Sequence, residues 1–132
     1  MPAPVQVVQA IYTAFARREM PQAFALLSPD ILIVQSDALP WGGMYRGHDG
    51  ARQFFVKLQA SLNSTLELER FIDAGDHVVA VGWTQGKVNA SEAPYRVPIA
   101  HVWKIANGVA VEARFFIDNP TMLAALSVSP DV

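Results

Sequence analysis

Residues 95–118, YRVPIAHVWKIANGVAVEARFFID, decide the fold of this chain. Two alternating apolar runs flank Asn107-Gly108, and Asn-Gly between such runs is the strongest short-range signal for a β-hairpin. Two registers fit the sequence. A two-residue turn pairs Ala106 with Val109, whereas a three-residue loop with a bulge pairs Ile105 with Val109.

The side-chain pattern favours the three-residue loop, because a slip of one residue moves a whole apolar set to the other face of a strand. In that register the charged side chains share one face, where Arg96 lies opposite Asp118. The other face is apolar except for His101, which lies opposite Ala113 and diagonal to Phe115. Its members are Val97, Ile99, His101, Trp103, Ile105, Val109, Val111, Ala113, Phe115 and Ile117.

Composition predicts one soluble domain spanning residues 1–132, because 52% of the residues are hydrophobic and 17% are charged. A net charge of -2 without a Lys/Arg cluster argues against nucleic acid or a membrane surface as the partner. The absence of cysteine excludes disulfides, thiolate metal sites and a Cys nucleophile. We expect no cofactor and no metal. The N-terminus lacks a signal-peptide pattern and no stretch could span a membrane, so we expect a cytoplasmic location.

The rest of the chain predicts helices followed by a meander of strands. Helical spacing predicts a first helix that starts at Pro2 or Pro4, a short second helix from Pro21, and a third helix capped by His48 or Asp49. Strands are predicted at residues 31–36, 65–73 and 77–88, with a loop at 37–47 in which Trp41 and Tyr45 fold back over apolar surface. Asn119 is predicted to cap a short terminal helix whose first residue is Pro120. This order predicts an α+β fold, with helices on one face of a strongly curved, mainly antiparallel sheet.

The strand at residues 77–88 has two unequal faces. Ala80, Gly82, Thr84 and Gly86 project to one side, and we expect these small side chains to leave volume for a pocket. The larger Val79, Val81 and Trp83 project to the other side, where Ala100, Val102 and Phe116 of the hairpin join them. The helices cover only the inner face, so this apolar outer patch predicts a homodimer.

Four stretches resemble the SnoaL-like branch of the nuclear-transport-factor-2-like, or ketosteroid-isomerase-like, superfamily. They are VVQAIYTAFARREMPQAFALLSPDI, YRGHDGARQFF, GDHVVAVG and AHVWKIANGVAVEARFFID, in the family's order along nearly the whole chain. The resemblance implies a cone-shaped roll of helices and bent sheet enclosing a pocket, with the outer sheet face used for dimers. It implies little about chemistry, because this fold hosts enzymes and non-enzymes alike.

The catalytic pairs of the family are missing. Polyketide cyclases of the family pair a pocket His, which matches His101, with an Asp whose position falls on Phe115. Epoxide-hydrolase-like members carry an Arg-x-Asp pair where this chain has Gly82-Trp83-Thr84. Ketosteroid isomerases use a tyrosine near Ile11, one residue from Tyr12, and a base near Gln35.

Two functions are compatible with these residues. The first is a non-catalytic binder of a small hydrophobic ligand in an internal pocket. The second is a cofactor-independent isomerase, cyclase or dehydratase that uses His101 as acid or base on a small apolar carbonyl or polyketide-like substrate. His101 and, more weakly, Asp37 are the catalytic candidates. The candidate ligand-binding side chains are Tyr12, Gln35, Trp41, Phe55, Thr84 and Phe115.

Overall fold

A computed structural model describes residues 2–129 as four helices and six strands, so the ends of the predicted 1–132 domain lie outside the described residues. The helices are α1 (Pro4–Ala16), α2 (Met20–Ala25), α3 (Gly47–Ser61) and α4 (Asn119–Leu126). The strands are β1 (Leu27–Gln35), β2 (Gly43–Arg46), β3 (Leu62–Ala74), β4 (His77–Val88), β5 (Pro94–Ala106) and β6 (Val109–Ile117). Within residues 2–129, no helix is long and apolar enough to cross a membrane.

The strands form one open, mixed sheet in the order β2-β1-β6-β5-β4-β3. Every neighbouring pair is antiparallel except β1 and β6, which run parallel. Burial alternates along β5, and its buried side chains face the helices, as Trp103 does by contacting Tyr12 of α1. The predicted α+β fold is therefore confirmed.

The predicted loop at residues 37–47 contains strand β2. Trp41 and Tyr45 are buried in the apolar core, as the sequence predicted. The Tyr45 hydroxyl shares its one proton between the carbonyls of Trp41 and Gly42. Both helix caps differ from prediction. Helix α3 follows Arg46 without a side-chain cap, and His48 instead bonds the Leu27 carbonyl through Nε2. In α4 the cap is Asp118 rather than Asn119, its carboxylate accepting from the backbone N–H of Thr121.

The hairpin register was predicted wrongly, although most of its faces were not. Asn107 and Gly108 form a two-residue turn, in which both have positive φ (54° and 78°) and Ala106 pairs with Val109. The extra residue sits in β6 as a bulge, because Ile105 pairs with Ala110 but Lys104 pairs with Glu112.

The bulge restores the predicted faces beyond it while shifting the partners. His101 lies directly opposite Phe115 rather than Ala113, and Ala113 and Phe115 are buried as predicted. Between the turn and the bulge the buried residue of β6 is Ala110, so the inner-face prediction was wrong for Val109 and Val111. Arg96 does not meet Asp118, because the same shift places Asp118 beside Pro98, whose carbonyl accepts from the Asp118 backbone N–H. The Arg96 guanidinium instead donates to the side chains of Glu67 and Gln85.

Two glycines of β4 have a different role from the predicted one. A Cβ at Gly82 would lie 2.1 Å from the Glu67 carbonyl oxygen, and one at Gly86 would lie 1.9 Å from the Asn63 carbonyl oxygen. The backbone of β3 therefore occupies the space over both glycines. They allow the bent sheet to pack closely on itself and do not open a pocket.

Candidate functional site

The candidate site is built around a chain of three side chains on the inner face. The hydroxyl of Tyr12, on α1, lies 2.6 Å from Nδ1 of His101 and 2.9 Å from Nε1 of Trp103. His101 and Trp103 are two residues apart on β5 and therefore point to the same face. The ring of Phe115, on β6, packs against His101 with 4.6 Å between ring centroids.

Donor and acceptor chemistry fixes the tautomer of His101. An indole N–H can only donate, so the Tyr12 oxygen accepts from Trp103. The single hydroxyl proton of Tyr12 is then free to donate to Nδ1 of His101. A proton on Nδ1 would make the Tyr12 oxygen accept twice and leave the hydroxyl proton without a partner. The arrangement therefore favours an unprotonated Nδ1 and a neutral imidazole with its proton on Nε2.

Burial keeps both titratable groups of this chain neutral. Burial without a charged partner lowers the pKa of His101 from 6.5 to about 3. Burial also raises the pKa of Tyr12, and the hydrogen bond from Trp103 offsets only part of that increase. At pH 7 the chain therefore runs from the Trp103 N–H through an un-ionised phenol to a neutral imidazole.

The Nε2–H of His101 is left available. It has no hydrogen-bond partner among residues 2–129, and it is not sealed from solvent. Its neighbours in the sheet are apolar, with Phe115 on one side and Ala80 on the other. A donor in such surroundings can bind an oxygen atom of an otherwise apolar molecule.

Gln35 lies in the same row of the sheet, because β1 pairs Gln35 with Phe115 and β5 pairs His101 with Phe115. The side-chain oxygen of Gln35 accepts from the indole N–H of Trp41 at 3.0 Å. Its amide NH₂ has no partner among the described residues, although the side chain is only 7% exposed. The sequence predicted both Gln35 and Trp41, but not their mutual hydrogen bond.

A cleft of about 340 Å³ opens where β1 and β6 end, and we call it the strand-end cleft. It is lined by Gln35, Asp37, Arg114, Phe115 and Asn119, among others. A second cleft, of about 460 Å³ between β2 and α3, contains none of the predicted site residues. Neither cleft is lined by His101 itself, so the enclosed cavity around His101 stays a prediction.

The remaining predicted residues make no hydrogen bond or ring contact with His101 among residues 2–129. Asp37 is exposed at the rim of the strand-end cleft. Thr84 is buried four residues along β4 from the partner of His101, or about 13 Å at ordinary strand rise. Phe55 packs among helix aromatics, and Phe54 rather than Phe55 contacts Phe115.

The sequence did not predict the role of Trp103, which was assigned only to the apolar face. One signal was available, because a tryptophan two residues from a buried histidine shares its face and brings an N–H that needs an acceptor. Tyr95 is another buried tyrosine, and it lies near Thr84 and Ser64. Its hydroxyl is fully buried and makes no hydrogen bond of acceptable geometry, although those two side chains lie close enough to lower its pKa slightly. Burial dominates and raises the pKa of Tyr95.

Comparison with solved structures finds the same fold along nearly the whole chain. An NTF2-like protein from Burkholderia thailandensis E264 is 28% identical with a TM-score of 0.89, covering 97% of this chain and 100% of that chain. An NTF2-like protein of unknown function from Burkholderia pseudomallei K96243 is 27% identical with a TM-score of 0.88 over the same shares. TerC, crystallised with polyporic acid, is 22% identical with a TM-score of 0.85, covering 95% of this chain and 98% of that chain.

No curated protein matches this sequence. Residues 8–113 match the SnoaL-like domain family. Because that match spans well over half of the chain, this protein belongs to the SnoaL-like family, with the NTF2-like fold that its strands and helices display.

Proposed function

We propose that the protein binds a small, largely apolar molecule on the inner face of the sheet, where His101 donates a hydrogen bond from Nε2–H to an oxygen of the ligand. One observation carries this proposal: a buried, neutral imidazole presents an unpartnered N–H that solvent can reach. A histidine with a purely structural role in the core would form hydrogen bonds to the protein through both ring nitrogens. The TerC structure with polyporic acid supports the use of this fold for small molecules.

The hydrogen-bond chain favours binding over acid–base catalysis by His101. To act as a base at Nε2, the ring would need its proton on Nδ1, which would then donate to Tyr12. The Tyr12 oxygen would accept twice, and its own proton would lose its partner, at a cost of roughly 1–3 kcal/mol. A pKa lowered to about 3 also makes the ring a weak proton acceptor at pH 7.

The same N–H keeps a second candidate function open. A fixed donor in a water-poor site stabilises an oxyanion that develops on a carbonyl substrate. An isomerase or cyclase built on this chain would use His101 as that donor and would need a base from elsewhere. Asp37, at the rim of the strand-end cleft, is the carboxylate nearest in sequence to Gln35.

The binding proposal is tested with 9-fluorenone and fluorene, which share one tricyclic skeleton and differ by one carbonyl. Binding is followed by ligand-observed NMR with the wild type, His101→Gln and His77→Gln. His77 is an exposed residue paired with Asp76 and serves as the matched control. We expect fluorenone to bind the wild type and His77→Gln several-fold more tightly than fluorene, because a net hydrogen bond contributes about 1 kcal/mol.

His101→Gln should reduce that preference without loss of the folded near-ultraviolet spectrum. The proposal fails if neither compound binds the wild type up to its solubility limit. It also fails if the preference survives in His101→Gln. Turnover of a carbonyl substrate that requires His101 would favour the second candidate function instead.

We also propose that the outer face of the sheet binds a second copy of this chain. Val79, Val81 and Val102 are only half-buried there, and Phe116 is 55% exposed. Charged side chains on this face carry both signs and are largely paired within the chain, as in Arg96–Glu67 and Arg114–Glu112. A patch of this composition can meet its own copy across a two-fold axis without leaving charges unpaired.

The dimer is tested by analytical ultracentrifugation of the wild type, Val81→Lys and Val56→Lys. Val56 is 66% exposed on α3, away from the outer face, and serves as the matched control. At tens of micromolar, on the order of ordinary assay concentrations, the wild type and Val56→Lys should sediment as dimers and Val81→Lys as a monomer. A monomeric wild type at that concentration contradicts the proposal.

A further inference from the structure

We infer that two tryptophans set this site to donate hydrogen bonds at two points, so that it selects a neutral aromatic molecule with two acceptor oxygens, such as a quinone or another dione. This inference rests on the proposed binding function and narrows its ligand class. It is carried by the bonds from Trp41 to Gln35 and from Trp103 through Tyr12 to His101.

The first donor is the amide of Gln35. A glutamine amide can accept at its oxygen or donate at its nitrogen, and rotation of the amide exchanges the two. Trp41 removes this choice, because its indole N–H can only donate and therefore holds the oxygen of Gln35. The NH₂ group is left without a partner among residues 2–129, and Gln35 is one of the residues that line the strand-end cleft.

The second donor is Nε2–H of His101. A tryptophan also determines this donor, but it acts through one intervening residue, Tyr12. Trp103 donates to Tyr12, and Tyr12 donates to Nδ1. An indole N–H thus stands at the start of both chains, and each chain ends in an unpartnered donor. The protein contains three tryptophans, and the third, Trp83, donates to Glu69 on the outer face of the sheet.

Phe115 separates the two donors. Gln35 and His101 lie on the strands either side of Phe115 and are paired with it directly, so their Cα atoms are about 10 Å apart at ordinary strand spacing. The Phe115 ring contacts His101 and also lines the strand-end cleft. Phe115 thus connects the cleft to His101, and in the proposed complex a flat ligand enters from the cleft beside this ring, with one oxygen towards each donor.

The rim of the cleft favours a neutral ligand. It contains one acidic group, Asp37, and one basic group, Arg114, and Arg114 is already bonded to Glu112 at 3.1 Å. One carboxylate and one guanidinium together give the lining of the cleft no excess of either sign. Amines and other ligands that only donate are disfavoured, because both polar contacts of the site require acceptors.

Isothermal titration with 1,4-naphthoquinone and 1-tetralone tests the inference, since these bicyclic compounds carry two carbonyls and one. The protein has no cysteine, so quinone addition to a thiol cannot complicate the titration. The wild type should bind naphthoquinone about threefold to tenfold more tightly than tetralone, as one additional neutral hydrogen bond predicts. Gln35→Met should remove this difference and leave tetralone affinity nearly unchanged.

Further variants separate the tryptophan effect from misfolding. Trp41→Phe removes the N–H that fixes the Gln35 amide and should reduce the naphthoquinone preference, whereas Trp83→Phe should not. Gln22→Met, at an exposed position of α2, is the control for Gln35→Met. Each variant is accepted only with the wild-type near-ultraviolet spectrum, and Gln35→Met suffices if Trp41→Phe does not fold.

The outcomes distinguish the two proposals. If the wild type binds neither compound, the proposed binding function fails and this inference fails with it. If the wild type binds both equally, or if Gln35→Met keeps the preference for naphthoquinone, only the two-acceptor inference is overturned.

Discussion

Replacement of Tyr12 by Phe should destabilise the protein strongly for a change of one oxygen atom. The hydroxyl accepts from Trp103 and donates to His101, so its removal leaves two buried polar atoms without partners. Each unsatisfied group costs roughly 1–3 kcal/mol, and we expect a total loss of about 2–4 kcal/mol. For a domain of this size, that loss corresponds to a drop in the melting temperature of roughly 10 °C.

Tyr95→Phe is the matched control, since its hydroxyl is buried without a hydrogen bond. Removing an unpaired polar group should leave the free energy of unfolding unchanged or raise it by up to about 1 kcal/mol. Urea denaturation at one fixed protein concentration measures both variants against the wild type. The assigned hydrogen-bond chain is refuted if Tyr12→Phe lies within about 0.5 kcal/mol of the wild type, the usual range of neutral surface changes.

Two further predictions concern pH and the sheet. The pKa of His101 is about 3 in the folded protein and 6.5 in the unfolded protein, so between these values only the unfolded protein binds the proton. The contribution of the neutral ring to the free energy of unfolding is therefore complete above pH 6.5 and is lost as the pH falls towards 3. In urea denaturation, the free energy of unfolding of the wild type should fall by up to about 1.4 kcal/mol per pH unit below pH 6.5, relative to that of His101→Gln. If the free energies of both proteins change equally with pH, burial of a neutral ring is contradicted. Gly82→Ala should cost about 3 kcal/mol or more in the same assay, because its Cβ would meet the Glu67 carbonyl oxygen at 2.1 Å. Gly75→Ala, with a φ of +80° and open space around it, should cost only about 1–2 kcal/mol, and a Gly82→Ala loss no greater would contradict the close approach of β3.

The faces of the hairpin could be predicted from the sequence, but the position of its extra residue could not. Alternation determines which residues of β5 share a face, and it placed His101 and Trp103 correctly on the buried side. A bulge within a strand and a longer loop both supply the one residue that restores this alternation. The choice between them depends on strand twist, which the pattern of side chains does not encode.

The glycines of β4 show a second feature that could not be predicted from the sequence. Small residues on one face indicate that something comes close, but the sequence does not say whether it is a ligand or a neighbouring strand. The structure assigns Gly82 and Gly86 to the backbone of β3. The parallel pairing of β1 with β6 joins strands that are far apart in the sequence, so short-range sequence patterns do not predict it.

The candidate residues were found more readily than their connections. His101, Tyr12, Gln35 and Phe115 were all named from the sequence, and the structure brings them to one region of the inner face. The bond from Tyr12 to His101 joins residues 89 apart, which periodicity cannot detect. The hydrogen-bond directions follow only when the donor-only indole of Trp103 is placed beside them.

The protonation of His101 is the most direct test of the account, and ¹⁵N NMR of the imidazole nitrogens measures it. The protein contains three histidines, and the His48→Gln and His77→Gln variants assign the remaining signals to His101. The account predicts a neutral ring with its proton on Nε2 and an unprotonated Nδ1, unchanged from pH 8 to pH 5. A proton on Nδ1, or titration near the ordinary pKa of 6.5, would contradict the assigned hydrogen-bond chain and the donor role that rests on it.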